Sequence, residues 1–188
     1  MRSFALAAVA VSLVALSQDP SREPGMLRSA QQLAVTTAEH QLLQRLVGEW
    51  DVVSTTFPPG GKPQEARGRI VGKAILGGRY VVLNHTLAVG GSKLEAVQLL
   101  GFDTLRGHYT SSWRDDVSTW AVDCSGGAVD GQPLQWVLRG TLADARTPSG
   151  RAFRCKFDLR TDKAVKVELF DAHEGEEVRV QTQAWTAR

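Results

Sequence analysis

The sequence has little of what most catalytic and metal-binding signatures require. It holds two cysteines, Cys124 and Cys155, and no Cys-x-x-Cys. That excludes zinc-ribbon and dithiol redox motifs, which need thiols paired at short spacing. The four histidines, His40, His85, His108 and His173, are scattered, so no metal-ligand spacing is visible. His173-Glu174-Gly175-Glu176-Glu177 lacks the second histidine of a zinc-protease helix, and Gly175 marks it as a turn. There is no Gly-x-Ser-x-Gly elbow. The runs Gly60-Gly61-Lys62 and Gly90-Gly91-Ser92-Lys93 are not followed by a helix whose N-terminus could hold a phosphate. An excess of one charge is also missing, with 22 Lys and Arg against 20 Asp and Glu. Such a balance gives no electrostatic case for nucleic acid or a membrane surface as partner.

Long apolar runs are absent too. The longest, Phe4 to Leu16, covers about 13 residues, whereas a spanning helix needs roughly 20. With Arg2 before it and Ala15-Leu16-Ser17 after it, the run reads as an export signal cleaved before Gln18. No cysteine follows for lipid attachment, so residues 1–17 are expected to leave no stable membrane anchor. The expected location is periplasmic or extracellular. Residues 18–35, polar and containing Pro20 and Pro24, read as a flexible lead, and 36–188 as one domain. Export would permit a disulfide. Cys155, however, alternates with Phe153, Phe157 and Leu159 on an apolar face, while Cys124 ends a different strand. Two separate buried thiols are therefore expected.

What is present is strand and turn. Thr36-Thr37-Ala38-Glu39 resembles a capping box with Thr36 as N-cap. It opens a short helix whose Leu42, Leu43, Leu46 and Val47 share a face. Strand-like stretches follow at about 49–57, 65–76, 79–88, 93–102, 107–115, 117–125, 133–142, 151–160, 163–171 and 177–187. Between them lie breakers such as Pro58-Pro59-Gly60-Gly61, Gly77-Gly78, Gly90-Gly91, Gly126-Gly127 and Asp130-Gly131. Hairpin-length connections with no second helical pattern predict an all-β, single antiparallel up-and-down barrel of about ten strands, closed at one end by the helix. Gly48 allows a sharp turn from helix to strand. Trp50 is large enough to plug the barrel end, its indole N–H needing one partner.

The later strands alternate cleanly, as in Phe153, Cys155, Phe157 and Leu159 against Arg154, Lys156 and Asp158. The earlier ones do not. His85 shares a face with Val81, Leu83 and Leu87, and Tyr109 shares one with Ser111, Trp113 and Asp115. Mixed faces of this kind suit either a ligand-lined lumen or an imperfect exterior.

Four motifs occur in order: Gly48-Glu49-Trp50-Asp51, Ile75-Leu76-Gly77-Gly78-Arg79-Tyr80, Leu100-Gly101-Phe102-Asp103 and Ser112-Trp113-Arg114-Asp115. With the closing strand Gln183 to Arg188, they make residues 38–188 resemble the bacterial DUF1579 family of exported proteins of unknown function. The resemblance implies a lipocalin-like (calycin-type) barrel and brings no activity. It also implies a late arginine, Arg188 or Arg179, lying across Trp50.

Three functional readings follow. The first is a binding module holding a small, mostly apolar ligand in its lumen, with His85, Tyr109, Trp113, Asp115 and Trp120 as candidate lining. The second is a barrel hydrolase or isomerase using His85 and Asp115 as acid and base, with Asp115 a buried carboxylate of raised pKa. The alternative for Asp115-Asp116 is a turn in which the carboxylates bond local amides. The third is a structural or interaction barrel filled by its own side chains. No cofactor is specified. Haem on His85 would give a Soret band that His85→Ala abolishes, and the competing reading of His85 is a satisfied core histidine.

Overall fold

The computed structural model describes residues 33–143, 148–173 and 176–188; the expected signal 1–17 and residues 18–32 of the lead lie outside the described residues. The unit Thr36–Arg188 is a closed barrel of ten antiparallel strands. They are β1 (Gly48–Thr56), β2 (Gln64–Ile75), β3 (Tyr80–Val89), β4 (Ser92–Asp103), β5 (His108–Asp115), β6 (Val122–Val129), β7 (Gln132–Leu142), β8 (Arg151–Asp158), β9 (Ala164–His173) and β10 (Glu176–Ala187). Each pairs with the next, and β10 returns to β1, with Trp50 opposite Ala187, Val52 opposite Trp185 and Ser54 opposite Gln183. Closure leaves no edge strand to template aggregation.

Before β1 run the helix α1 (Ala38–Leu43) and a 3-10 turn (Gln44–Leu46). The cap is shifted by one residue from the expected Thr36. Thr37 is the N-cap, and its backbone N–H donates to His40 Nδ1 at 3.0 Å, so a histidine does what the glutamate of a capping box does. Leu43 and Leu46 are fully buried, whereas Val47 is exposed because the chain has already become extended there. Gly48, at φ +131, makes the turn into β1. Trp50 is buried and its indole donates to the Leu46 carbonyl at 3.2 Å. Gly72 on β2 makes room for that carbonyl: a Cβ there would lie 2.0 Å from Leu46 O.

The arginine expected across Trp50 is not there. Arg188 lies on the outer surface, pairing with Asp51 at 3.2 Å and Glu49 at 3.9 Å. Arg179 sits over the Phe57 ring near the opposite end. The inward positions of β10 belong to Trp185 and its same-parity neighbours, which leaves both arginines outside.

Two further expectations are corrected. Gly126-Gly127 is not a turn but lies inside β6, which runs from Val122 to Val129 rather than over 117–125. A Cβ on Gly126 would lie 2.0 Å from the Val137 carbonyl oxygen, so this glycine permits a close approach of β6 to β7. Gly68 on β2 does the same against Thr86 O, at 1.9 Å. By contrast, Gly77 and Gly78 are the left-handed turn residues expected, at φ +67 and +81.

The lumen differs from end to end. Toward the helix it is packed with aromatics. Tyr109 stacks on Trp136 with centroids 4.1 Å apart, Phe102 meets Tyr109 edge-on at 5.0 Å, and Trp136 meets Phe157 at 6.0 Å. Trp136, Tyr109, Phe157 and Leu138 are at most 1% exposed. Each such side chain contributes about 1.5–3 kcal/mol by leaving water. Toward the other end the inward side chains Leu94, Val122, Cys124, Leu142 and Leu169 are only partly buried.

Candidate functional site

A ring of uncharged polar side chains occupies inward positions of β1, β4, β5 and β10. Ser54, Gln98, Ser111 and Gln183 are all buried. Gln98 Nε2 donates to Ser111 Oγ at 2.8 Å, Gln181 Nε2 to Ser54 Oγ at 3.0 Å, and Trp185 Nε1 to Gln183 Oε1 at 3.0 Å. The strand register places these groups. Leu83 pairs with Gln98 and Gln98 with Trp113, while His85 pairs with Ala96 and Ala96 with Asp115. β3, β4 and β5 therefore bring His85, Gln98 and Trp113 to one patch of wall.

His85 differs from the rest of the ring. It is 2% exposed, and neither ring nitrogen makes a hydrogen bond of good geometry, although the Gln98 side chain lies close enough to interact with the ring. Its ring meets Trp113 edge-on at 4.8 Å and Trp185 at 6.1 Å. Burial pushes the imidazole down to about 4, opposed in part by a weak hydrogen bond with the Gln98 side chain, so His85 is neutral at physiological pH, with one donor and one acceptor nitrogen.

The structure joins some of the sequence candidates and separates others. Trp113 lies against His85 and is half-exposed. Asp115 touches Trp113, accepting its indole N–H at 2.8 Å, and also accepts the backbone N–H groups of Val117 at 3.1 Å and Ser118 at 2.8 Å. The carboxylate thus bonds the local amides of a turn. The raised pKa of the acid–base reading is corrected: burial pushes it up, but hydrogen bonds from Trp113, Ser118 and Val117 outweigh burial and hold it below its ordinary value. His85 and Asp115 share no hydrogen bond; both lie against Trp113.

Tyr109 belongs to the aromatic packing at the helix end, 1% exposed with its hydroxyl unpartnered; burial pushes that hydroxyl up to about 12. Trp120 is 43% exposed, on the loop between β5 and β6. The chain turns at Asp115 and does not re-enter the sheet until Val122, so Trp120 has no inward strand position. Cys124 and Cys155 are unpaired, the first half-buried and the second buried.

Sequence reasoning missed Ser54, Gln98, Gln183 and an ion pair at the mouth. Gln98 carried a signal: it stands between Val97 and Leu99, which are 45% and 36% exposed. A polar inward residue flanked by apolar outward ones inverts the usual strand pattern. The ion pair is Arg151 Nε to Asp171 Oδ2 at 2.5 Å, inward on β8 and β9. Asp171 is 7% exposed and its Oδ1 has no partner. A broad depression of about 700 Å³ lies along β9 and β10, among Lys166, Thr182, Ala184 and Thr186, and is also lined by Gln183 and Trp185. None of the buried unpartnered groups lines it.

Residues 35–186 match the model of a family described as "Protein of unknown function (DUF1579)". No curated protein matches the chain in sequence. In fold it is similar to the crystal structure of Rv2717c from M. tuberculosis, with 13% identity, 82% of this chain and 99% of that one covered, and a TM-score of 0.56. It is also similar to the S-type phycobiliprotein lyase CPES from Guillardia theta, with 9% identity, 84% and 96% covered, and a TM-score of 0.55. At these identities the likeness is one of fold, that of a lipocalin-like barrel.

Proposed function

The chain belongs to the DUF1579 family of proteins of unknown function, and we propose that it is an exported binding protein that holds a small, mostly apolar molecule in the open half of its lumen. His85 carries this proposal: a neutral, buried imidazole has neither nitrogen in a hydrogen bond of good geometry, its one polar neighbour being the Gln98 side chain. An unmet buried polar group costs about 1–3 kcal/mol, and a ligand's hydrogen bond removes that cost. The surroundings support the same use. Apolar walls with a few convergent polar groups are the usual make-up of small-molecule sites. Trp113 covers one side of the imidazole and is itself half-exposed, so a molecule that reaches His85 slides past it or displaces it.

The acid–base pairing of His85 with Asp115 is not favoured, because Trp113 touches both groups and the carboxylate is committed to local donors. A fully filled barrel accounts for the helix end but leaves the unpartnered imidazole without a role.

Native mass spectrometry of protein purified from its own host tests the binding. A co-purifying small molecule, released on denaturation, is the expected result. A bare polypeptide mass, together with no uptake of an apolar reporter dye, sinks the proposal. Export is tested separately by N-terminal sequencing of the mature chain. A start at Gln18 supports cleavage after Ser17, and retention of Met1 in the cytoplasmic fraction removes it.

A further inference from the structure

The distribution of charge inside the barrel narrows the kind of molecule it can take. At the inward positions of the described strands, charged side chains occur only at the mouth: Asp115 on β5, Arg151 on β8, Asp171 on β9 and Glu176 at the tip of β10. Three are carboxylates and one is a guanidinium. Arg151 already pairs with Asp171. Deeper in, around His85, the polar groups are hydroxyls and amides: Ser54, Gln98, Ser111, Gln181 and Gln183. No described lysine or arginine reaches that depth, and the one described carboxylate near it, Asp115, is already committed to Trp113, Val117 and Ser118.

A charged group brought there would leave water without a counter-ion, which costs several kcal/mol for an isolated ion. A hydroxyl or carbonyl meets no such penalty. Its oxygen can accept from the imidazole N–H, and a hydroxyl can also donate to the second nitrogen. An anionic head would in addition pass the described inward charges of the mouth, three carboxylates to one guanidinium, among them the buried, unpartnered Oδ1 of Asp171.

We infer that the lumen selects an uncharged apolar molecule bearing a hydroxyl or carbonyl group, bound with that group at His85, and discriminates against fatty-acid anions and alkyl ammonium ions of the same length. This rests on the lumen-binding proposal above and names its ligand class. A hydroxyl and a carbonyl share the relevant chemistry, an uncharged oxygen acceptor, so both are included.

The experiment is a binding series on the wild-type protein at mildly alkaline pH, read by the change in tryptophan fluorescence, to which Trp113 and Trp185, flanking His85, contribute. The probes are dodecanol, the methyl ketone of the same length, dodecanoate, dodecylamine and dodecane. Dodecanol and the ketone are expected to bind about tenfold or more tightly than dodecanoate and dodecylamine, and more tightly than dodecane. His85→Leu is expected to lower dodecanol affinity about tenfold while leaving dodecane unchanged, and His85→Gln to restore part of the loss. Dodecanoate or dodecylamine binding as well as dodecanol overturns the inference. So does dodecane binding as well as dodecanol, or a His85→Leu variant that keeps the alcohol preference; in these cases the lumen still binds and only the ligand class is wrong. If none of the five probes binds, the lumen-binding proposal falls and the inference falls with it.

Discussion

At the scale of single residues, His85 sets stability against binding. A buried imidazole with no partner is a local loss to the folded state, whereas a structural histidine would be hydrogen-bonded. His85→Leu should therefore raise the stability of the ligand-free protein by about 1 kcal/mol, or roughly 2–4 °C in Tm by scanning calorimetry. A fall of that size would mean that the ring makes interactions essential to the fold and would remove its role as a ligand contact. The same burial predicts a pH signature. The folded imidazole is lowered from 6.5 to about 4, so between those values the unfolded chain binds the extra proton. Stability is thus full above 6.5, declines as pH falls toward 4, and stays reduced below, by on the order of 3 kcal/mol in all. His40 is lowered too, by burial first, and contributes in the same direction. His85→Leu should accordingly flatten most, but not all, of the slope in denaturant midpoint across that interval. Glu39, Glu168 and Glu177, whose hydrogen bonds hold them below the ordinary carboxylate range, contribute in the same direction at the acid end, so an unchanged slope in the variant would assign the effect to them and His40 and not to His85.

At the scale of elements, two adjacent glycines in β6 do opposite things. A Cβ on Gly126 would meet the Val137 carbonyl oxygen at 2.0 Å and Leu138 Cα at 2.9 Å, whereas one on Gly127 meets nothing within 4 Å. Gly126→Ala should cost about 1–3 kcal/mol by forcing β6 from β7. Gly127→Ala should be neutral or stabilising by about 0.4–1 kcal/mol, through a less flexible unfolded chain. Urea midpoints for the pair decide this, and equal effects would show that the close approach is not rigid. The same two residues mark where the sequence stopped being legible. The strand count, the order and the closing helix followed from alternation and turn residues, because inward parity leaves a period-two trace. Gly126-Gly127 looks like Gly77-Gly78, yet one pair lies inside a strand and the other is a left-handed turn. Only the neighbouring strand distinguishes them. Trp120 was misplaced for a related reason: three local donors to Asp115 hold a turn that hydrophobic alternation cannot reveal. Within the candidate site, His85 and Trp113 were legible as aromatic and imidazole groups on mixed faces. Gln98 and Ser54 look like ordinary polar strand residues until the register turns them inward.

At the scale of the molecule, the barrel is built as two halves of unequal rigidity. Trp136, Tyr109, Phe157 and Leu138 fill the helix end at interior density, and α1 with Trp50 closes it. The mouth is bordered by half-buried apolar side chains and one ion pair that bridges β8 and β9. Opening free energies in one fold range from near zero up to the global value, and sparse packing places a region at the low end. Hydrogen exchange should therefore be slowest for the amides around Trp136 on β7 and Phe157 on β8. Among strand amides, it should be fastest where β5 and β6 reach the mouth. Binding of an uncharged apolar alcohol adds contacts only in the open half. It should slow exchange on β3, β5 and β10 around His85, Trp113 and Trp185, and leave Gly48 to Trp50 unchanged. A ligand stabilises only the state that binds it, so uniform slowing would mean that the observed openings were already global unfolding. Slowing confined to the helix end would place the ligand outside the lumen. Either result would contradict a division of labour in which the packed half supplies the fold's stability and the open half, held by fewer contacts, is free to admit a guest.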